Sequence, residues 1–482
     1  MLRLSKWVAV SSATFVMISM GLQTGYASAQ SNSLRAMHQP AKDSPTTAKT
    51  SGTQGAEAVV HWNFLRQEIA GFGASGAFGQ AANIEVLTPK VQDQILSLLF
   101  STKDGAGLSI VRNLINDGID GQTIEPSSGQ WDWYFMPDDQ VWLMQQAQRY
   151  GVKTFMSTAW SPPAWMKAND LVQGHPGDKL NYLLPKYYHA YAEYLAHYVN
   201  GYWTHFHLRI SVVSIQNEPD QNVTYASCIW TPQQLDTFIR NDLIPVFKEN
   251  HVQTKLMMPE QSFWGEQYAL ATLNDPVASK AVSIVAAHGY GGTIAPLPVA
   301  EKEHKQIWET EVSTFGPNDP SITDGIKWAM TMNQYLTVAN VNAWNYWWLV
   351  NNGSDNEGLI NVIPNSLDFS VNKRLYTMGN FSRFIRPGFY RIDATAEPTP
   401  GVYMSAYKNL KTGQFVVVMI NDNHHPQNVS VQMAQLPSPI GSVTPYVTSA
   451  TQNLQAQKVL AFKHGTFNAT LTPFSVTSFV GK

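Results

Sequence analysis

The chain has 482 residues, of which 44% are hydrophobic and 14% charged, with a formal net charge of −3. That length accommodates one large barrel plus an accessory domain, and the near-neutral balance excludes a nucleic-acid partner, which needs clustered Lys and Arg. A single cysteine, Cys228, excludes an internal disulfide and a cysteine-rich zinc site.

Arg3 and Lys6 precede an apolar run, "WVAVSSATFVMISMGL", and "ASA" at Ala27–Ala29 offers a small-residue cleavage point before Gln30. Residues 1–29 therefore read as a signal peptide and the protein as secreted; as a membrane anchor the run is short and interrupted by Ser and Thr. No later segment is apolar enough to span a bilayer, so no membrane association is expected after cleavage. Residues 30–56 are polar and aperiodic, the composition of a disordered linker. Residues 57–68 are expected to form a strand that joins a side domain.

From residue 69 to 385, apolar runs alternate with amphipathic stretches. The predicted strands are "EIAGFGASGAF", "GLSIVRN", "KTFMSTAW", "VVSIQNE", "KLMMPEQ", "SIVAAHGY", "QIWETEV" and "NAWNYWWLV"; between most of them lie segments of helical period such as "KVQDQILSLLF" and "YYHAYAEYLAHYVNGYW". Strands alternating with helices imply parallel pairing with right-handed crossovers, and eight such units match a closed (β/α)8 TIM barrel. An open doubly wound sheet is the alternative, but no phosphate-binding glycine loop is present. "GFGASGAFG" lacks the following helix and acidic residue and reads as a tight barrel turn. Residues 386–482 change texture to short alternating runs such as "GQFVVVMIND" and "NVSVQMAQL", an antiparallel β-sandwich side domain.

A barrel builds its active site from the loops at the C-terminal ends of its strands. The second strand ends at Arg112, the third at Trp160, the fourth at Asn217-Glu218-Pro219 and the sixth at His288-Gly289-Tyr290. The seventh carries Glu309 and Glu311, and the eighth ends in Trp344, Tyr346, Trp347 and Trp348. Hydrolysis of a glycosidic bond needs this inventory: one carboxylic acid to protonate the leaving oxygen, one carboxylate to attack the anomeric carbon or activate water, and aromatic and amide groups to hold the sugar. Glu218 and Glu311 sit on opposite sides of the barrel mouth. Glu309 is a rival to Glu311, which lies nearer the strand end, and Glu260 is a third acid with a structural salt bridge as its expected role. Arg112, Trp160, Asn217, His288, Tyr290, Trp344 and Trp348 are the candidate substrate-binding residues, Asn217 for a sugar 2-hydroxyl. A carbohydrate-binding protein without catalysis would share the aromatics, but only an enzyme needs two opposed carboxylates.

From residue 59 to the C-terminus the chain resembles glycoside hydrolase family 30, in the clan of retaining barrel hydrolases. "GFGASGAFGQA" resembles that family's first strand, "SIQNEPD" its acid/base segment and "IWETEVS" its nucleophile segment. "YTMGNFSRFIRPGFYRI" resembles its passage into the side domain, and "SVTSFVGK" that domain's last strand. The resemblance implies Glu218 as acid/base, Glu311 as nucleophile, retention through a covalent glycosyl-enzyme, and no metal or cofactor. Family members act on xylan, on β-1,6-linked glucans or galactans, and on glucosylceramide. The pattern here is most similar to the xylanase and galactanase branches, so an endo-β-1,4-xylanase acting as a monomer on polysaccharide is expected. Glucuronoxylan-specific relatives carry an Arg in the loop after strand eight; here "LVNNGSDNEGLIN" has neither Arg nor Lys.

Overall fold

The computed structural model describes residues 56–115, 123–133, 138–353, 355–363, 368–436 and 441–482. The expected signal peptide and all but the last residue of the expected linker lie outside the described residues.

Eight parallel strands close into a barrel: β2 (Gly71–Ser75), β3 (Ile110–Ile115), β4 (Thr154–Ala159), β5 (Val212–Ser214), β6 (Lys255–Gln261), β7 (Val282–Ala287), β8 (Gln306–Glu309) and β9 (Ala343–Asn351). Each pairs with the next, and β9 returns to both β2 and β8. Longer crossover helices are α1 (Pro89–Phe100), α2 (Asp138–Arg149), α3 (Tyr188–Phe206), α4 (Pro232–Phe238) and α5 (Ile322–Thr337). α4 opens with a capping box on Thr231 and Pro232 at its first turn, which satisfies its leading N–H groups.

Period-two alternation sorts the strand residues into layers. Ile110, Met156, Val212, Met257, Ile284, Trp308 and Ala343 point inward and plug the barrel with an apolar layer. Two residues further along their strands come Arg112, Thr158 and Ser214, all fully buried and all polar. The plug excludes water from below, so these polar groups face upward into the mouth and must satisfy one another there.

After β9 the chain makes a hairpin that the sequence patterns did not signal, β10 (Gly358–Ile363) with β11 (Asp368–Val371), before α6 (Lys373–Ser382). β10 pairs in parallel with β9 and so extends the sheet beyond the closed barrel.

The side domain is one ten-stranded sheet built from both ends of the described chain: β1 (Ala56–Glu68), β12 (Phe389–Ala394), β13 (Val402–Asn409), β14 (Phe415–Asn421), β15 (Gln427–Ala434), β16 (Ser442–Thr448), β17 (Gln455–Ala456), β18 (Leu460–Ala461), β19 (Thr466–Leu471) and β20 (Ser475–Gly481). Its pairings are antiparallel except β1 with β15, which is parallel. Residues from most of its strands share one core, around Trp62, Phe415, Phe467 and Phe479. β14 reads "FVVVMIN" because both its faces are covered. Phe415, Val417 and Met419 enter the side-domain core, while Val416, Val418 and Ile420 join the cluster that contains the barrel helices.

Candidate active site

The end of β5 supplies the first carboxylate. The strand stops at Ser214, and Glu218 adopts φ of 45°, in the left-handed region. That conformation costs a non-glycine residue about 1–3 kcal/mol. It turns the Glu218 side chain toward the mouth, and the Glu218 N–H donates to the Glu260 carbonyl at 2.9 Å. Glu260, at the end of β6, is bent the same way, with φ of 55°.

Glu311 lies two residues past the end of β8. Its Oε2 is ion-paired with Nη1 of Arg112, and its Oε1 accepts from the Tyr290 hydroxyl at 2.9 Å. An oxygen of Glu218, a ring nitrogen of His288 and an oxygen of Glu311 all lie within 4.8 Å of one another. The two acids, far apart in sequence, thus meet over one small space. Both are nearly buried, at 6% and 5% exposure.

Arg112 organises the floor. Beside Glu311, its Nη2 donates to Asn217 Oδ1 at 2.7 Å and to Glu260 Oε1 at 3.1 Å, and its Nε to Thr158 Oγ1 at 3.3 Å. Its guanidinium lies 4.5 Å from the Trp160 ring centre and 5.6 Å from that of Trp347. Asn217 thereby spends its carbonyl oxygen on Arg112, while its amide nitrogen makes no hydrogen bond among the described residues.

His288 stands between the acids. Its Nδ1 is 3.0 Å from Glu218 Oε1, and its Nε2 is 3.8 Å from Glu260 and 3.9 Å from Glu311. Burial disfavours a charge on this ring, but the carboxylates of Glu311, Glu218 and Glu260 outweigh burial and push it up to about 10. Burial by itself would raise Glu260; Arg112 and then His288 outweigh it and bring it down to about 2. Burial also dominates at Glu218, opposed by His288 and reinforced by Glu311 and Asp220, and holds this acid above its ordinary value.

Of the residues singled out from the sequence, Glu218, Glu311, Asn217, Arg112, Trp160, His288 and Tyr290 converge here, and Trp348 packs beside them. Trp344 does not converge. It is buried on the outer face of β9 against Trp328 of α5 and Tyr346. Alternation along β9 sends Ala343 inward and Trp344 outward. A register shift opposite Ala74 and Ser75 then lets the consecutive Trp347 and Trp348 both reach the cluster around Trp160, with Phe78 edge-on at 5.1 Å from Trp160. Glu309 stays below the mouth: fully buried, it accepts the Glu311 N–H at 3.0 Å and the Asn345 N–H at 3.3 Å, and burial raises it well above its ordinary value.

Strand alternation sends Trp347 to the same face as Ala343, and Tyr225 was missed from the sequence. The Tyr225 hydroxyl donates to Glu218 Oε2 at 3.3 Å from a loop seven residues later, where no strand parity points to it. Glu218, His288 and Glu311 could offer three ligand atoms to a metal ion, but the Arg112 guanidinium against Glu311 already supplies the positive charge such an ion would bring. The arrangement suits acid-assisted displacement: one buried acid inclined to keep its proton, and one carboxylate oriented by an arginine and a tyrosine across a gap near the roughly 5–5.5 Å of double-displacement glycosidases.

Comparisons with known proteins agree in kind. The profile of the glycosyl hydrolase family 30 TIM-barrel domain matches residues 69–352. The chain is 28% identical over 447 residues to the glucuronoxylanase XynC of Bacillus subtilis, covering 90% of this chain and 93% of the relative. It is 24% identical over 399 residues to the lysosomal acid glucosylceramidase of Mus musculus, covering 74% of this chain and 75% of the relative. Among solved structures, a family 30 subfamily 8 xylanase from Clostridium acetobutylicum superposes with a TM-score of 0.75 at 32% identity, covering 89% of this chain and 100% of that one. The catalytic domain of xylanase C from Talaromyces cellulolyticus superposes at 0.77 with 29% identity, covering 88% of this chain and 100% of that one.

Proposed function

The chain belongs to glycosyl hydrolase family 30 and is a glycoside hydrolase, and we propose that it is an exported endo-β-1,4-xylanase that retains anomeric configuration. The observation that carries this reading is the meeting of Glu218 and Glu311 within 4.8 Å at the barrel mouth. The substrate follows from the xylanase relatives, the nearest in identity of those described above.

The mechanism follows from the placement of each group. A sugar held against Trp160, Trp347 and Trp348 presents its anomeric carbon to Glu311. The Glu311 oxygen forms the new C–O bond as the glycosidic C–O bond breaks, and Glu218 delivers its proton to the departing oxygen. Burial favours the protonated form of Glu218 that this step needs. Glu218, now ionised, takes a proton from water; the water oxygen bonds to the anomeric carbon and Glu311 leaves as carboxylate, restoring the starting charges. His288 and Tyr225, one on each Glu218 oxygen, hold the acid in place through both halves. The free amide nitrogen of Asn217 is the donor for the 2-hydroxyl, whose hydrogen bond tightens in the transition state.

The test uses purified protein on xylan, β-1,6-glucan, β-1,6-galactan and glucosylceramide, with products identified. Xylo-oligosaccharides of β-configuration when first released, formed by the wild type and not by Glu311→Ala, are expected. Fastest release from another member of the panel would replace xylan, and normal turnover by Glu311→Ala would remove the nucleophile assignment.

A further inference from the structure

The turn that carries Glu218 is fastened by a residue the mechanism above does not use. β5 and β6 pair in parallel register from Val212 with Lys255 to Ser214 with Met257, and there the ladder stops. One further backbone bond joins the two segments, from the Glu218 N–H to the Glu260 carbonyl at 2.9 Å. Both residues are left-handed, at φ of 45° and 55°. Pro219, next along the chain, has no N–H to offer.

Asp220 makes the following rung with its side chain. Its Oδ1 accepts the Ser262 N–H at 2.9 Å, as a backbone carbonyl would in a continued ladder. Its Oδ2 accepts from the Ser262 hydroxyl, and from Gln221 Nε2 at 3.0 Å. Gln221 Nε2 also donates to Ser262 Oγ at 2.8 Å, and the Gln221 N–H returns to the Glu218 carbonyl at 2.9 Å. Asp220 and Ser262 thus each lie two residues past a strained glutamate and close the bracket around both. A left-handed residue other than glycine persists only where its surroundings over-determine it, and this latch does so.

Every one of these partners of Asp220 is neutral, so the latch itself does not offset its charge. Glu218 faces His288 past β7, Glu311 past β8, Glu260 on β6, Arg112 on β3 through Glu311, and Tyr225 and Asp220 on its own loop. His288 favours the ionised acid, whereas Glu311 and Asp220 favour the protonated one. Glu311 loses its charge in the glycosyl-enzyme, but Asp220 keeps its own through both halves. We infer that Asp220 is a positioning residue for the reaction: its carboxylate latches the turn after β5 to the end of β6, and so holds Glu218 aimed at the scissile bond with a permanent negative charge in the same turn. The inference rests on the reading of Glu218 as the acid.

The experiment measures kcat, KM and the pH profile of kcat/KM on whichever substrate of the panel above the wild type cleaves fastest. Asp220→Ala removes both latch and charge. Its kcat is expected to fall by about tenfold or more with KM within about twofold, because the sugar rests on aromatic residues of other strands. Asp220→Asn keeps an acceptor for the Ser262 N–H without the charge. It is expected to recover most of the lost kcat and to move the alkaline limb to lower pH by about half a unit or more, since removing a nearby negative charge lowers Glu218. A limb in Asp220→Asn that stays in place or moves to higher pH overturns the inference, as does wild-type kcat in Asp220→Ala. The limb is read in the asparagine variant, so the test stands even if the alanine variant fails to fold. Glu218→Gln separates the two readings. Wild-type turnover by that variant overturns the acid assignment and this inference together; its inactivity, with an unmoved limb in Asp220→Asn, overturns this inference alone.

Discussion

Nδ1 of His288 lies 3.0 Å from Oε1 of Glu218, and both groups are buried. The imidazolium favours the ionised form of Glu218, whereas burial and Glu311 favour the protonated form, and the second influence prevails. The acid is thus set by a balance that a single substitution can tilt.

In the proposed mechanism Glu218 must carry its proton for the first step, so loss of activity on the alkaline side of the kcat/KM profile is expected to report its ionisation. Replacing His288 by Gln removes the positive charge that lowers this acid. The alkaline limb is expected to move to higher pH, with kcat reduced by about tenfold or more because the acid is less firmly held. A limb that stays in place, measured on the same xylan, would contradict the coupling.

Arg112 touches four side chains through its three nitrogens, and a lysine presents one point charge in place of that fork. Arg112→Lys is expected to lower kcat/KM by about 10²-fold or more and to destabilise the fold by about 1–3 kcal/mol, the range for leaving a buried hydrogen-bond acceptor unpaired. Steady-state rates and a denaturant melt measure the two effects. Loss of rate with full stability would mean that the arginine is not a structural hub.

Glu309 and Glu311 are separated by one residue and by their surroundings. Glu309→Gln keeps the volume and one acceptor for the N–H groups of Glu311 and Asn345. Its kcat is expected to fall by about tenfold at most, whereas Glu311→Gln is expected to lose about 10⁴-fold or more, because no covalent intermediate can form. A reversed order of the two losses would make Glu309 the nucleophile.

Gly201 lies in the middle of α3, where alanine is the better helix former by about 1 kcal/mol. An added Cβ there would overlap the ring of Trp133, which stacks on His205 at 4.6 Å. Overpacking at a filled site costs about 1–3 kcal/mol, so the clash outweighs the propensity. Gly201→Ala is expected to lower Tm by a few degrees; a rise would show that the Trp133 segment moves aside freely.

Much of the architecture was legible because it is written in local patterns. Apolar runs of strand length alternating with helical periods are properties of neighbouring residues, and they located all eight barrel strands. The abrupt end of "VVSIQNEP" marked Glu218 for the same reason. The hairpin β10–β11 escaped because its strands are short and follow a polar loop, leaving no alternation long enough to read.

What tertiary structure alone decided is which way side chains face once a strand ends, and whom they meet. Glu309 and Glu311 share a parity in sequence, yet one is buried beneath the mouth and the other opens onto it, since β8 stops between them. Trp344 and Trp348 share a parity, yet Trp344 faces the helices and Trp348 the cleft, because closure of β9 on β2 introduces a register shift that no single strand encodes. Arg112 joins Glu311 across 199 positions, and Glu260 lies low because that arginine is there. The sequence by itself determined the barrel, the side domain and the chemical types at the strand ends, since these depend on near neighbours. The ring's closure brought those types within bonding distance and so set the charge on each, because electrostatic interaction depends on separation in space and on exclusion of water.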